Sequence, residues 1–205
     1  MADRRIFLSH GEVSLNRELA KYWSAMGHHV GLQCASVVTD DDLHGGSHHS
    51  YQDDCHLYYT NAEDAISHGL ADREGLDLVV HGVEELDEED GWTEDPLRLA
   101  QNIMAEFERM HQINRMALRR FIGQRRGHLL FLLRHAPDGR QSPIMRAGKL
   151  ALMQAIAKEV KPGISIHAVT LVGSVAVDAT VFSSLDTVLA LGGHLHGQNI
   201  QLGGR

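Results

Sequence analysis

The stretch SPIMRAGKLALMQAIAKEVKPGISIHAVTLV, residues 142–172, decides the fold. Its first part opens on Pro143, which loses no hydrogen bond in a first helical turn and already has the φ a helix needs. A helix over 143–160 follows. The second part, SIHAVTLV (165–172), carries apolar residues on both faces, with Ala168-Val169 and Leu171-Val172 at successive positions. A strand of that kind is buried on both faces, which is the condition of a parallel sheet covered by helices.

The same alternation extends outward in both directions. RIFLS (5–9) reads as a buried strand and LNRELAKYWSAM (15–26) as a helix, with Gly27 at its C-terminal cap. HVGLQC (29–34) is a second strand, and 55–59 a short third one, followed by a helix over 62–74. LDLVV (76–80) is a strand, 84–95 an acidic loop, and Pro96 opens a long helix. The apolar residues of that helix, Leu97, Ala100, Met104, Phe107, Met110, Ile113, Ala117, Leu118 and Phe121, recur at helical spacing. HLLFLL (128–133) is a further strand, 183–191 a helix and 199–202 a last strand. Strands alternating with helices predict a doubly wound, Rossmann-like α/β fold with a parallel sheet. Neither a repeat nor a linker divides the chain, so one domain over 1–205 is expected.

The net charge of −8 excludes an extended nucleic-acid interface, which needs a basic face. No apolar run is long enough to span a bilayer. The N-terminus, MADRRIFLSHGE, lacks the apolar stretch of a secretory signal, so a cytoplasmic address is expected. Two cysteines, Cys34 and Cys55, make no disulfide framework. Fifteen histidines are many. His44, His48, His49, Cys55 and His56 cluster in sequence, and His194 and His196 form an H-x-H pair. Imidazoles bind zinc and nickel, but these spacings match no standard site, and no metal is expected.

In the order and wording of these elements the chain resembles the short-chain dehydrogenases/reductases. The 142–172 stretch is similar to the family's Tyr-x-x-x-Lys helix and the strand after it. RRIFLSHGEVSLNRELAKYWSAMGHHVGL (4–32) resembles the first β-α-β unit. LDLVVHGVE (76–84) resembles the strand ending in Asn-Asn-Ala-Gly, and GQNIQLGG (197–204) the final strand. The resemblance implies an NAD-dependent oxidoreductase of alcohols, with a glycine-rich turn, a Ser-Tyr-Lys set and a helical flap over the substrate.

This sequence departs from that pattern at nearly every diagnostic position. The turn Thr-Gly-x-x-x-Gly-x-Gly aligns with SHGEVSLN (9–16), so the glycines fall on His10, Ser14 and Asn16, each adding a side chain where phosphate would sit. Cys34 stands where a charged residue reads the ribose. The Tyr position is Met145, whose thioether has no proton to exchange. No hydroxyl lies near 133–134, where the Ser belongs, and the Asn of the long helix aligns with Ala105. Lys149 is the one remnant. After Val172 the chain runs almost directly into the last helix, leaving no room for the flap. Neither catalysis nor NAD binding is therefore expected of this chain.

The family's subunit contacts are better kept. The resemblance assigns them to the long helix (Phe107, Met110), to the small-residue face of the next helix (Ala147, Ala151, Ala155) and to the C-terminus, where Arg205 would reach a neighbour. The pattern resembles the degenerate subunit of heteromeric family members, such as the hydroxy(phenyl)methyl-succinyl-CoA dehydrogenase of anaerobic toluene degradation. It implies a hetero-oligomer with an intact, NAD-carrying dehydrogenase acting on a hydroxyacyl-CoA or similar alcohol. A homo-oligomeric ligand-binding or regulatory protein is the alternative, and a metal-dependent enzyme a third.

Overall fold

The computed structural model describes residues 4–11, 13–33, 51–53, 56–59, 66, 75–83, 96–135, 143–160, 162–173 and 179–203. In chain order these form β1 (Arg5–Leu8), α1 (Ser14–Ala25), β2 (His29–Gln33), β3 (Tyr51–Asp53), β4 (His56–Tyr59) and β5 (Leu78–His81). There follow α2 (Pro96–Gln124), β6 (Gly127–His135), α3 (Pro143–Glu159), β7 (Ile164–Val172), α4 (Ala179–Ala190), a 3-10 turn (Gly192–His194) and β8 (Asn199–Leu202). The eight strands make one sheet in the order β3-β4-β2-β1-β5-β6-β7-β8. Every neighbouring pair is parallel except β3 and β4. The chain enters at β1 and winds outward first to one side and then to the other. The reversal falls between β1 and β5, the place where such sheets open a ligand crevice.

Successive residues of a strand point to opposite faces, and both faces are covered. Phe7, Val79, Leu129, Phe131 and Ile166 face α2 and α3, where Met110, Phe121, Met145 and Met153 meet them. Ile6, Leu8, Val80, Leu132 and Val169 face α1 and α4, against Leu19, Trp23, Phe182 and Leu189. This two-sided burial is why strands such as LVVH and HLLFLL read as unbroken apolar runs.

The elements depart from the expected ones at a few places. An antiparallel hairpin, β3–β4, occupies the edge where a lone strand at 55–59 was expected. Helix α4 begins at Ala179, four residues before the expected start, because Val181 and Phe182 continue the apolar face that packs on α1. Six residues, 173–178, separate β7 from α4, where the resemblance implies a helical flap. The expected helix over 62–74 and the acidic loop 84–95 lie outside the described residues, apart from the buried Ile66.

Asp186 of α4 ties the two helices of one face together. It accepts from Trp23 Nε1 at 2.9 Å and from Tyr22 Oη at 3.0 Å. Trp23 is wholly buried, and a buried donor stripped of its partner costs about 1–3 kcal/mol. Asp186→Ala is expected to lower the unfolding free energy by about that amount, with the midpoint of a urea titration as the measurement.

Candidate functional site

The C-terminal ends of β1 and β5 meet the N-terminal end of α1 and the inward sides of α2 and α3. A set of polar side chains converges there, nearly all of them buried: Ser9, His10, Asn16, His81, Glu106, Asn114 and Lys149. The turn after β1 places His10 at φ 60, the left-handed region that favours glycine. Its ring is held on both sides. Ser9 Oγ lies 2.8 Å from Nδ1, and Glu106 Oε1 lies 3.0 Å from Nε2. Ser9 Oγ also accepts from Gly82 N–H at 3.1 Å. Ser9 Oγ thus meets both His10 and Gly82 N–H, and His10 Nε2 faces Glu106 Oε1 at ion-pair distance. Lys149 Nζ donates to the Gly82 carbonyl at 2.9 Å, and Arg109 Nη1 lies 3.4 Å from Glu106 Oε2.

Asn16 does something other than what its alignment suggests. Its Nδ2 donates to the carbonyls of His10 (2.8 Å) and Val83 (2.7 Å), and its Oδ1 accepts from Val83 N–H at 3.1 Å. It clamps the β1 turn to the end of β5 and does not project into the crevice. Gly82 makes the clamp possible: a Cβ there would stand 2.4 Å from Ser9 O and 2.6 Å from Asn16 Nδ2. Ser14, the first residue of α1, is exposed. Of the three positions aligned with glycines, His10 alone turns its side chain to the Glu106 and Lys149 side of the crevice.

The long helix also corrects the alignment. Ala105 is exposed, and Glu106 is the residue turned inward. Burial pushes the Glu106 carboxyl up. The close contact with His10 and the charges of His10, Lys149 and Arg109 outweigh that and hold it below its usual range. Two turns on, Asn114 Oδ1 accepts from His81 Nε2 at 2.7 Å. Neither Glu106 nor Asn114 was singled out from sequence. Their signal was present as polar residues on the apolar stripe of α2, at 106 and 114, flanking Met110 and Ile113.

Met145 is wholly buried in the core shared by α2, α3 and the sheet. Ser9, His10 and Glu106 have the composition of a hydrolytic triad, but Ser9 is wholly buried with its hydroxyl committed to His10. It has no route to a substrate. At the rim, Arg146 Nη1 contacts His135 Nδ1.

The expected interface residues divide. Ala147, Ala151 and Ala155 are exposed along one face of α3. Phe107 is half-buried, and its ring rests on Gly148, where a Cβ would come within 2.1 Å of it. Met110 is not a surface residue: it is wholly buried in the chain's own core. Arg205 lies outside the described residues, as do Cys34, His44, His48, His49 and Cys55. No group of three or more metal-ligating residues that would hold an ion occurs among the described residues. His194 is exposed, and both ring nitrogens of His196 are taken by Ile166 N–H and the Ala157 carbonyl.

Comparison with solved structures matches this arrangement over nearly the whole chain. The fold is that of the short-chain dehydrogenases/reductases. An acetoin dehydrogenase from Salmonella typhimurium superposes with a TM-score of 0.71 at 14% identity, over 99% of this chain and 96% of that one. An apo SCOR enzyme from Clostridium thermocellum gives 0.70 at 11% identity, over 98% and 92%. A short-chain dehydrogenase/reductase family oxidoreductase from Brucella ovis, in complex with a partially ordered NAD, gives 0.65 at 14%, over 98% and 100%. No protein-family model matches the chain, and no curated protein matches it. Among the described residues no helix is long and apolar enough to cross a membrane.

The buried histidine at the crevice makes a pH prediction. Burial, with a smaller contribution from the Lys149 charge, pushes His81 down to about 3, against the lesser opposing effect of its bond to Asn114. Below about pH 6.5 the unfolded chain binds a proton here that the folded chain refuses until about pH 3. Stability therefore falls as pH drops through that window, by up to about 1.4 kcal/mol per pH unit. Glu106 adds to the loss lower down, since a carboxylate held below its unfolded value stabilises above that value and ceases to as it protonates. The slope of unfolding free energy against pH between 6.5 and 5 is expected to be shallower in His81→Leu by up to about 1.4 kcal/mol per unit. Denaturant titrations across that range measure it.

Proposed function

We propose that this chain is a non-catalytic subunit that pairs with an intact short-chain dehydrogenase. The observation that carries the reading is the pairing of His10 with Glu106 beside Lys149, together with the burial of Met145. In this fold a dinucleotide lies across the carboxyl ends of the strands, with its pyrophosphate on the turn after β1 and on the helix N-terminus. The residues present do not fit that group. The turn carries an imidazole in place of a glycine, and the facing carboxylate of Glu106 repels phosphate. The first residue before α1 is Val13, which offers no capping side chain. Lys149, the one residue shared with the family's reacting set, is spent on the Gly82 carbonyl and the neighbourhood of Glu106.

The cofactor and the chemistry then belong to the partner. That partner is an NAD-dependent oxidoreductase acting on a hydroxyacyl-CoA or similar alcohol, in a cytoplasmic hetero-oligomer. The exposed alanines of α3, at 147, 151 and 155, suit such a contact, because small side chains let a neighbouring helix approach closely. Phe107 and the C-terminal Arg205 complete the proposed surface.

Purified alone, the chain is expected neither to quench nor to shift NADH fluorescence and to oxidise no alcohol with NAD. Met145→Tyr is expected to leave it inactive. Co-expressed with an intact short-chain dehydrogenase that is its partner, it is expected to co-purify as a stoichiometric complex whose activity is lost without it. NAD-dependent alcohol oxidation by the chain alone would overturn the reading. A single-band homo-oligomer that captures no dehydrogenase would favour a ligand-binding protein instead.

A further inference from the structure

Away from the crevice, the chain gathers a second set of histidines where its last segment closes the sheet. His128 lies beside Ser165 across β6 and β7, and Leu130 lies beside His167. Cross-strand partners share a face, and so do residues two apart. His128 and His167 therefore project from the same side of the sheet. Gly192, in the 3-10 turn, rests on the His128 ring: a Cβ there would stand 2.7 Å from Nδ1 and from Cε1. His167 is wholly buried. Neither of its ring nitrogens has a hydrogen-bond partner, and neither does His128 Nδ1.

The segment after the turn is fastened to β7 and α3. Gly197 N–H donates to Ile166 O at 2.7 Å, and Ala168 N–H donates to Gln198 O at 2.9 Å. His196 spans the two elements. Its Nε2 donates to the Ala157 carbonyl at 2.8 Å, and its Nδ1 accepts from Ile166 N–H at 3.3 Å. It thereby fastens the last segment to both β7 and α3.

We propose that His128 and His167, under the turn at Gly192, form a proton-operated clasp that frees residues 192–202, with strand β8, from β7 as the solution is acidified. His128 and His167 are held in the closed state with buried ring nitrogens that have no hydrogen-bond partner. The charged and titratable groups acting on His167 are His128 from β6 and His196 from the last segment, both of which add like charge. His128 is also faced by Arg4 and by Asp77, a cation and an anion that oppose each other. Burial comes first for both rings, pushing His128 down and His167 down to about 4. Opening lets them take up protons below about pH 6.5, the ordinary range of an imidazole. The consequence is local: β8 is the sheet's last strand, and its release uncovers the pairing edge of β7 from Ala168 to Leu171.

Each proton taken up on opening raises the open population by up to about tenfold per pH unit. Hydrogen exchange on the full chain at pH 7, 6 and 5, corrected for intrinsic exchange rates, reads this directly. Protection of 192–202 is expected to fall steadily with pH, by up to about tenfold per pH unit for each proton taken up, while β1 and α1 stay protected at pH 6. His128→Gln keeps a polar side chain at a partly exposed position and does not titrate. His167→Phe fills the same buried site with an apolar ring. Both are expected to flatten the slope for 192–202, and His128→Gln decides alone if the buried variant fails to fold. Loss of protection in 192–202 only in step with β1 and α1 would overturn the proposal, as would an unchanged slope in His128→Gln.

Discussion

Asn16 holds the middle of the sheet shut. Its amide makes three hydrogen bonds, to the carbonyls of His10 and Val83 and to Val83 N–H. These bonds join the turns after β1 and β5 at the place where the winding of the sheet reverses. Strands on either side of such a reversal diverge, because the chain leaves β1 for one flank and β5 for the other. The approach is possible because residue 82 is glycine; any side chain there would overlap Ser9 and Asn16. With the two turns locked, Ser9 can accept from Gly82 N–H, and the Gly82 carbonyl faces Lys149. The polar cluster is thus built around a backbone contact, and its side chains satisfy groups that would otherwise be buried unpaired.

The fold was legible in the sequence because two-sided burial writes itself as apolar runs. HLLFLL has no polar face after His128 and SIHAVTLV carries apolar residues on both faces, and Pro143 and Gly27 mark helix boundaries by backbone requirement alone. The antiparallel β3–β4 hairpin was not legible. Its strands are three and four residues long, too short for a periodicity to stand out. The site was legible by substitution and not by assembly. Sequence order shows that His10 and Met145 replace residues of a dehydrogenase. It does not show that a residue on α2, about a hundred positions on from His10, turns its carboxylate to the imidazole. Ala105 and Glu106 are adjacent in sequence, and a helical step of about 100° sends one to solvent and the other to the crevice.

Met110 gives the same lesson from the other direction. Its place on the apolar stripe of α2 is equally compatible with a subunit contact and with the chain's own interior. A helix that packs on a sheet by one stripe reserves that stripe for itself. The residues left for a neighbour are then those just outside it, and on α3 those are alanines.

The left-handed backbone of His10 couples two positions that lie far apart in sequence. Glycine at 10 would relieve the backbone conformation but remove the contact with Glu106, leaving the carboxylate to Lys149 and Arg109. Glutamine at 106 would remove the charge that the imidazole faces. The effect of a change at either position therefore depends on the residue that stands at the other.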